Sequence, residues 1–121
     1  MPMRILIADD NERLRQAVTA LLLSETSFEV CGEAVDGSDV LQKARELRPD
    51  VILLDISMPV QDGLTAANVL RQEFPHVKII IMSQHDPAQL LPRAREAGAD
   101  ACVDKSRLGP DLLSTIGRVW A

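Results

Sequence analysis

Five polar residues that suit phosphate chemistry follow four short apolar runs of this chain. They are Asp9, Asp10, Asp55, Ser83 and Lys105. Three carboxylates can hold a hard cation, a hydroxyl can donate a hydrogen bond to a phosphoryl oxygen, and a lysine ammonium can neutralise phosphoryl charge. Together these residue types are typical of a metal-assisted site for phosphoryl transfer.

Four of these residues also have a purely structural interpretation. Asp9 and Asp10 could cap the first helix, where the helix dipole favours anions. Ser83 could cap a later helix, and Lys105 could be a solvated surface amine. Capping before the first helix does not account for Asp55, which follows a different apolar run. The joint placement of all five residues therefore favours a common site.

The apolar runs alternate with amphipathic segments, and this alternation predicts the architecture. Short aliphatic runs separated by helix-length segments are typical of buried parallel strands. Five such units predict a (βα)5 α/β fold, a doubly wound parallel five-stranded sheet in three αβα layers with right-handed crossovers. Ligands bind such open sheets at the carboxyl edge. We therefore expect the five candidate residues to share that edge.

Several elements can be assigned directly from the sequence. Phe28–Ala34 should be the second strand, and the last helix should cover about Pro110–Trp120 with its tryptophan buried. Pro87 suits the first position of a fourth helix, but Pro92 lies five residues after it. An internal proline costs a helix about 3 kcal/mol. We therefore expect the fourth helix to begin near Pro92 or to have an irregular first turn.

The composition fits a single compact domain over residues 1–121 with an aliphatic core. The chain is 46% hydrophobic but only 2% aromatic. Its formal net charge is −5 and it has no Lys/Arg cluster, so we expect no nucleic-acid contacts by this domain itself. No apolar stretch approaches the ~20 residues that span a bilayer, and no signal-peptide pattern opens the chain. We expect a cytoplasmic protein without membrane contact, with Cys31 and Cys102 reduced and near opposite edges of the sheet.

A set of motifs extends over nearly the whole chain. They are Asp9-Asp10, Leu53-Leu54-Asp55-Ile56-Ser57-Met58-Pro59, Asp62-Gly63, Met82-Ser83, Gly98-Ala99-Asp100 and Lys105. Together they resemble the receiver domains of two-component response regulators. The stretch Ser83-Gln84-His85-Asp86, and Ser106 where many receivers have proline, are similar to the subgroup with LuxR-type helix-turn-helix output domains. The resemblance implies the flavodoxin-like strand order 2-1-3-4-5 and one receiver domain in this chain, with any output domain, for transcription regulation, outside it.

The resemblance also implies a metal site. Asp10 and Asp55 would supply side-chain ligands to Mg²⁺, with Mn²⁺ as a substitute. Ser57 would add its backbone carbonyl, and Asp9 would act mainly through bound water. Hard oxygen ligands of this kind favour magnesium over zinc. Without a cation, carboxylates this close together repel one another and raise at least one pKa.

The implied activity is that of a signalling switch. Asp55 would accept a phosphoryl group from a sensor histidine kinase or a phosphotransfer protein, while Ser83 and Lys105 would contact that group. Such a domain assists its own phosphorylation and dephosphorylation but is not an enzyme acting on a free metabolite. The resemblance also implies a candidate homodimer, through the face from helix 4 to helix 5 or through helices 1 and 5.

One residue departs from the pattern. Receivers usually carry an aromatic residue three positions before the lysine, and here that residue is Cys102. The usual aromatic switch is therefore absent or replaced. Cys102 is either a small half-buried strand residue or a redox-sensing thiol, and the second role needs a depressed pKa. The departure keeps open an interaction domain that works without phosphorylation. A phosphatase of the Asp-x-Asp type is disfavoured because Asp9 and Asp10 are adjacent.

Overall fold

Five parallel strands and five helices make up a computed structural model of the chain, which describes residues 2–84 and 86–120. The strands are β1 Met3–Ala8, β2 Phe28–Ala34, β3 Val51–Asp55, β4 Lys78–Ser83 and β5 Ala101–Asp104. The helices are α1 Glu12–Leu23, α2 Gly37–Leu47, α3 Gly63–Glu73, α4 Pro87–Glu96 and α5 Leu108–Trp120. A short 3-10 turn, Lys105–Arg107, joins β5 to α5. His85, part of the Ser83–Asp86 motif, lies outside the described residues.

The sheet has the strand order β2-β1-β3-β4-β5, with every neighbouring pair parallel. This confirms the predicted (βα)5 architecture and the order 2-1-3-4-5. Every residue of the central strand β3 is buried. Ile52 and Leu54 pack with residues of α2, α3 and α4, whereas Val51 and Leu53 pack with α1 and α5. Burial on both faces explains why the strands read as continuous apolar runs.

The strand register places the predicted site residues at one edge. Ala8 pairs with Leu54, the last residue before Asp55, and Asp55 pairs with Met82. Ser83 pairs with Asp104 at the ends of β4 and β5. Asp9 and Lys105 directly follow β1 and β5. The candidate residues therefore lie together at the carboxyl edge of the sheet, as the sequence predicts.

The connection from β3 to α3 is packed tightly against the sheet. A Cβ on Gly63 would lie 2.2 Å from the Asp55 carbonyl oxygen, so only glycine fits there. The Asp62 side chain caps α3 by accepting from the Thr65 N–H at 2.9 Å. In the loop that joins β3 to α3, Val60 has φ of 71°, in the left-handed region. The close approach of α3 fixes the path of the chain immediately after Asp55.

A fourth helix with Pro87 as its first residue is confirmed, and the alternative start near Pro92 is wrong. α4 begins at Pro87, and Pro92 lies inside it. Proline suits the first helical position, and the Asp86 side chain caps the helix by accepting from the Ala88 N–H at 3.0 Å. Pro92 therefore removes one backbone donor from the second turn without displacing the start of the helix.

The last helix also differs from the prediction. α5 begins at Leu108, two residues before the expected start at Pro110. Its buried face consists of Leu112, Thr115 and Ile116. Trp120 is 44% exposed, not buried, and its ring borders a shallow surface pocket beside the turn between α3 and β4.

The two cysteines lie as expected. Cys31 is in β2 and Cys102 in β5, the two edge strands, and both thiols are free. No helix of the described residues is both long and apolar enough to cross a bilayer.

Candidate functional site

Three carboxylates converge where β1 and β3 end. Ligand oxygens of Asp9, Asp10 and Asp55 all lie within 4.8 Å of one another. Asp9 and Asp55 are buried, at 0% and 2% exposure, while Asp10 is exposed. The predicted convergence of the three acids is therefore present, with two of them shielded from water.

The Lys105 ammonium links two of these carboxylates. Its Nζ lies 2.9 Å from Asp9 Oδ2 and 2.9 Å from Asp55 Oδ1. The side chain is 14% exposed, so the interpretation as a solvated surface amine is wrong. The turn that presents it is held by Asp104, which accepts from the Ser106 N–H at 2.8 Å. The cation therefore sits between the two buried acids.

Backbone donors hold the same two carboxylates. The Asn11 N–H donates to Asp9 Oδ1 at 2.8 Å, and the Ser57 N–H donates to Asp55 Oδ1 at 3.2 Å. Asp9 Oδ2 accepts no hydrogen bond within the described chain and has only its ion pair with Lys105. Both oxygens of Asp9 are thus engaged inside the protein.

The capping interpretations of these residues are also wrong. The N-cap of α1 is Asn11, whose side chain accepts from the Leu14 N–H at 3.2 Å, and not Asp9 or Asp10. The N-cap of α4 is Asp86 and not Ser83. Helix capping therefore does not account for Asp9, Asp10 or Ser83.

Burial dominates the electrostatics of the site. Loss of hydration raises the pKa of the Asp55 carboxyl, and the nearby Asp9 charge adds to this. The ion pair with Lys105 and the Ser57 N–H oppose the shift without reversing it. Burial alone would lower the pKa of the Lys105 ammonium, but its bonds to Asp55 and Asp9 outweigh burial and raise that pKa. The predicted rise of a carboxyl pKa is present, with burial rather than repulsion as its main cause.

A polar pocket of about 220 Å³ opens above these groups. Its lining residues are Asp9, Asp10, Asn11, Asp55, Ile56, Ser57, Gln84 and Lys105. Ser83 is fully buried and is not among them, so the structure brings it to the same edge but not into the pocket. Asn11 and Gln84 were missed from the sequence. The signal was their position, because each directly follows a candidate residue at the end of a strand.

The donor set fits a hard divalent cation. Three carboxylates face a single ammonium, which leaves excess negative charge within a few ångströms. Carboxylate oxygens beside an open pocket suit a cation that keeps several waters. Asp10 is the exposed member of the set and Ser57 lines the same pocket. These residues could hold such an ion together with Asp55.

Comparison with known proteins agrees with this geometry. The sequence profile of the response regulator receiver domain matches residues 5–116. The chain belongs to this family. The response regulator protein VraR of Staphylococcus saprophyticus is 29% identical over 120 residues, covering 99% of this chain and 57% of the relative. The chain thus spans little more than half the length of the curated relatives it matches.

Solved structures place the receiver within a subgroup. A LuxR-family two-component response regulator from Aurantimonas sp. SI85-9A1 superposes with a TM-score of 0.92 at 28% identity, covering 98% of this chain and 85% of that one. The signal receiver domain of the response regulator NarL from Mycobacterium tuberculosis gives 0.82 at 28% identity, covering 96% and 97%. The response regulator domain of Thermotoga maritima CheB gives 0.89 at 28% identity, covering 98% and 96%. The LuxR-type neighbours support the predicted subgroup.

Cys102 occupies the place of the usual aromatic residue. It is half-buried in β5, beside Leu91 and Arg95 of α4. Burial raises the pKa of its thiol to about 11. A redox-sensing cysteine needs the opposite shift. The structure therefore favours a small packing residue over a reactive thiol at this position.

Proposed function

We propose that this receiver accepts a phosphoryl group on Asp55 and acts as a phosphorylation-controlled switch. The observation that carries the proposal is the buried Asp55 carboxylate, held by Lys105 beside two further carboxylates at an open polar pocket. A carboxylate is a weak nucleophile, so it reacts with a phosphoryl donor only when it is positioned in line and charge on the transferring group is neutralised. The donor is the phosphohistidine of a sensor kinase or of a phosphotransfer protein.

The acidic residues divide between holding a cation and organising the pocket. Asp10 and Asp55 supply side-chain ligands to Mg²⁺ or Mn²⁺, and Ser57 supplies its backbone carbonyl. Asp9 acts through bound water, in keeping with the engagement of both its oxygens inside the protein. A bound divalent cation would neutralise charge on the phosphoryl oxygens during transfer.

Transfer changes the partners of Lys105. The Asp55 oxygen forms a bond to phosphorus while the bond from phosphorus to the donor nitrogen breaks, and the imidazole keeps the electron pair. Lys105 already contacts Asp55 and is therefore within reach of the new phosphoryl oxygens. Ser83 can donate to them only after movement, because it is fully buried and outside the pocket. We take that movement to be the start of switching.

Labelling with acetyl phosphate in the presence of Mg²⁺ tests the proposal. Wild type should gain one phosphoryl group, measured by intact mass. Hydroxylamine should remove this label, and EDTA added before acetyl phosphate should prevent labelling. Asp55→Asn should gain none. Asp62→Asn is the matched control, since asparagine caps a helix as well as aspartate and Asp62 only caps α3. Full labelling of Asp55→Asn would refute the assignment.

A receiver that binds its partner without phosphorylation is the second candidate, favoured by Cys102 in place of the aromatic residue. Partner affinity and oligomeric state, measured before and after labelling, separate the two. Our proposal predicts that labelling changes the partner affinity or the oligomeric state. The change would involve a homodimer through the α4–α5 face or through α1 and α5, or an output domain outside this chain that regulates transcription. If partner affinity and oligomeric state both stay unchanged after complete labelling, the second candidate is favoured.

A further inference from the structure

Gln84 is a pocket residue that the proposed mechanism does not use. It directly follows β4 and lines the polar pocket with its side chain exposed. Across the described residues 2–84 and 86–120 its carboxamide makes no hydrogen bond. An amide carries both a donor and an acceptor. Gln84 therefore brings unused hydrogen-bonding capacity to the space above Asp55.

Most of the other polar groups of the pocket are already engaged or carry the wrong charge. Asn11 uses its side-chain oxygen to cap α1. Asp9 and Lys105 are paired with each other. Asp10 is an anion that would repel the phosphoryl group. Among the described residues that line this pocket, the neutral hydrogen-bonding groups left besides Gln84 are the Ser57 hydroxyl and the amide nitrogen of Asn11, whose oxygen is held in the cap of α1.

Hydrolysis of a phosphoryl group on Asp55 requires water from the open side. An in-line attack places the water opposite the bond between phosphorus and the Asp55 oxygen. Asp55 is 2% exposed and forms the inner part of the pocket, so the opposite direction is the mouth. Gln84 is exposed and lines the same pocket, which puts it on the solvent side of the buried Asp55. It can accept a hydrogen bond from the water and donate one to a phosphoryl oxygen.

We propose that Gln84 orients the water molecule that hydrolyses the phosphoryl group on Asp55, and thereby sets the lifetime of the phosphorylated state. The inference rests on the proposed function of Asp55. The water oxygen forms a bond to phosphorus, the bond to the Asp55 oxygen breaks, and Asp55 leaves as a carboxylate with the electron pair. The water proton passes to the released phosphate or to solvent. Gln84 stays neutral throughout and exchanges no proton.

The test compares decay rates of labelled protein. Wild type and Gln84→Met are labelled with acetyl phosphate, freed of donor, and followed by intact mass and by release of inorganic phosphate. Methionine keeps the volume of glutamine without its hydrogen bonds, so it does not open the pocket. We expect the lifetime to lengthen about two- to tenfold, the range for losing one neutral hydrogen bond in the transition state.

Two matched variants and one internal control make the result specific. Gln89→Met changes a glutamine on α4 that does not line this pocket, and it should decay like wild type. Ser57→Ala removes the competing hydroxyl. After denaturation, all labelled proteins should decay at one rate, because the fold no longer orients water.

The outcomes distinguish this inference from the proposed function. An unchanged or shortened lifetime in labelled Gln84→Met refutes the role of Gln84 and leaves Asp55 in place. A lengthened lifetime in Ser57→Ala alone assigns the water to Ser57 instead. If wild type takes up no label at all, the proposed function fails and the inference fails with it.

Discussion

Replacing Asp55 with asparagine should make the cation-free protein more stable. The oxygens of Asp9 and Asp10 lie within 4.8 Å of an Asp55 oxygen, which corresponds to a repulsion of about 3.5 kcal/mol from each at an effective dielectric constant of 20. The attraction between Lys105 Nζ and Asp55 Oδ1 at 2.9 Å is about 6 kcal/mol at the same dielectric constant. The repulsions thus offset the ion pair, and the cost of burying the Asp55 charge remains.

The amide of the Asp55→Asn variant keeps most of the local bonding. It can still accept from the Ser57 N–H and from Lys105, which also retains its ion pair with Asp9. Because Lys105 stays paired with Asp9, the variant leaves no uncompensated charge, and removing the desolvation cost of the Asp55 charge should stabilise the fold by about 1–3 kcal/mol. In a domain of this size we expect a rise in Tm of roughly 4–12 °C.

The stability difference between Asp55→Asn and wild type should depend on pH in a definite direction. Burial raises the pKa of Asp55 above its value in the unfolded chain. Its ionised form therefore destabilises the folded state fully above the folded pKa. The penalty fades as the pH falls through that pKa and is gone below the unfolded one. The advantage of Asp55→Asn should accordingly be largest at neutral pH and shrink toward about pH 4.

Urea unfolding in EDTA, at a series of pH values, measures this effect. Adding Mg²⁺ in the same assay should stabilise wild type more than Asp55→Asn, because a cation that binds only the folded state shifts unfolding by mass action. Asp62→Asn, which changes a capping aspartate outside the pocket, should behave like wild type in both respects. A destabilised Asp55→Asn at neutral pH, or a difference that does not vary with pH, would refute the reasoning.

Three further predictions concern residues outside the acidic site. The Thr19 hydroxyl is buried without a hydrogen-bond partner among the described residues, so Thr19→Val should raise the free energy of unfolding by about 1 kcal/mol; a loss in urea unfolding would contradict this. With its pKa raised to about 11, Cys102 should react slowly with a thiol reagent at neutral pH in the native protein and fast in denaturant, and rapid native labelling mapped to Cys102 would oppose that. Val60 has φ of 71° in an exposed turn, so Val60→Gly should relieve strain and stabilise the fold by about 1 kcal/mol, whereas an unchanged Tm would show that the turn is unstrained.

The sequence predicted the fold and the acidic cluster because both follow from the strands. β3 is buried on both faces, so its residues read as one apolar run ending at Asp55. Parallel neighbours then bring their carboxyl ends together whatever the helices do. Lys105 was placed by the same logic, and its ion pairs with the acids follow from the shared edge.

Other features depend on details that residue patterns do not carry. An internal proline usually destabilises a helix, which is why a start near Pro92 was expected. The cap at Asp86 and the proline at the first helical position, Pro87, nevertheless set the start of α4. Trp120 continues the apolar stripe of α5, yet it is left largely exposed on the last turn. Whether Ser83 faces the pocket or the interior depends on side-chain packing at the end of β4. These outcomes depend on capping and packing that the residue pattern alone does not specify.

The unequal exposure of the three carboxylates links the stability of this domain to its proposed role. Asp9 and Asp55 are buried beside one ammonium, while Asp10 faces solvent. Such a cluster is costly when nothing is bound, because the negative charge exceeds the positive charge in a poorly hydrated place. A cation relieves the excess, and a phosphoryl group with its cation can give Lys105 a new partner. The electrostatic repulsion within the carboxylate cluster would therefore favour cation binding and would contribute to the movement of Ser83 that we propose.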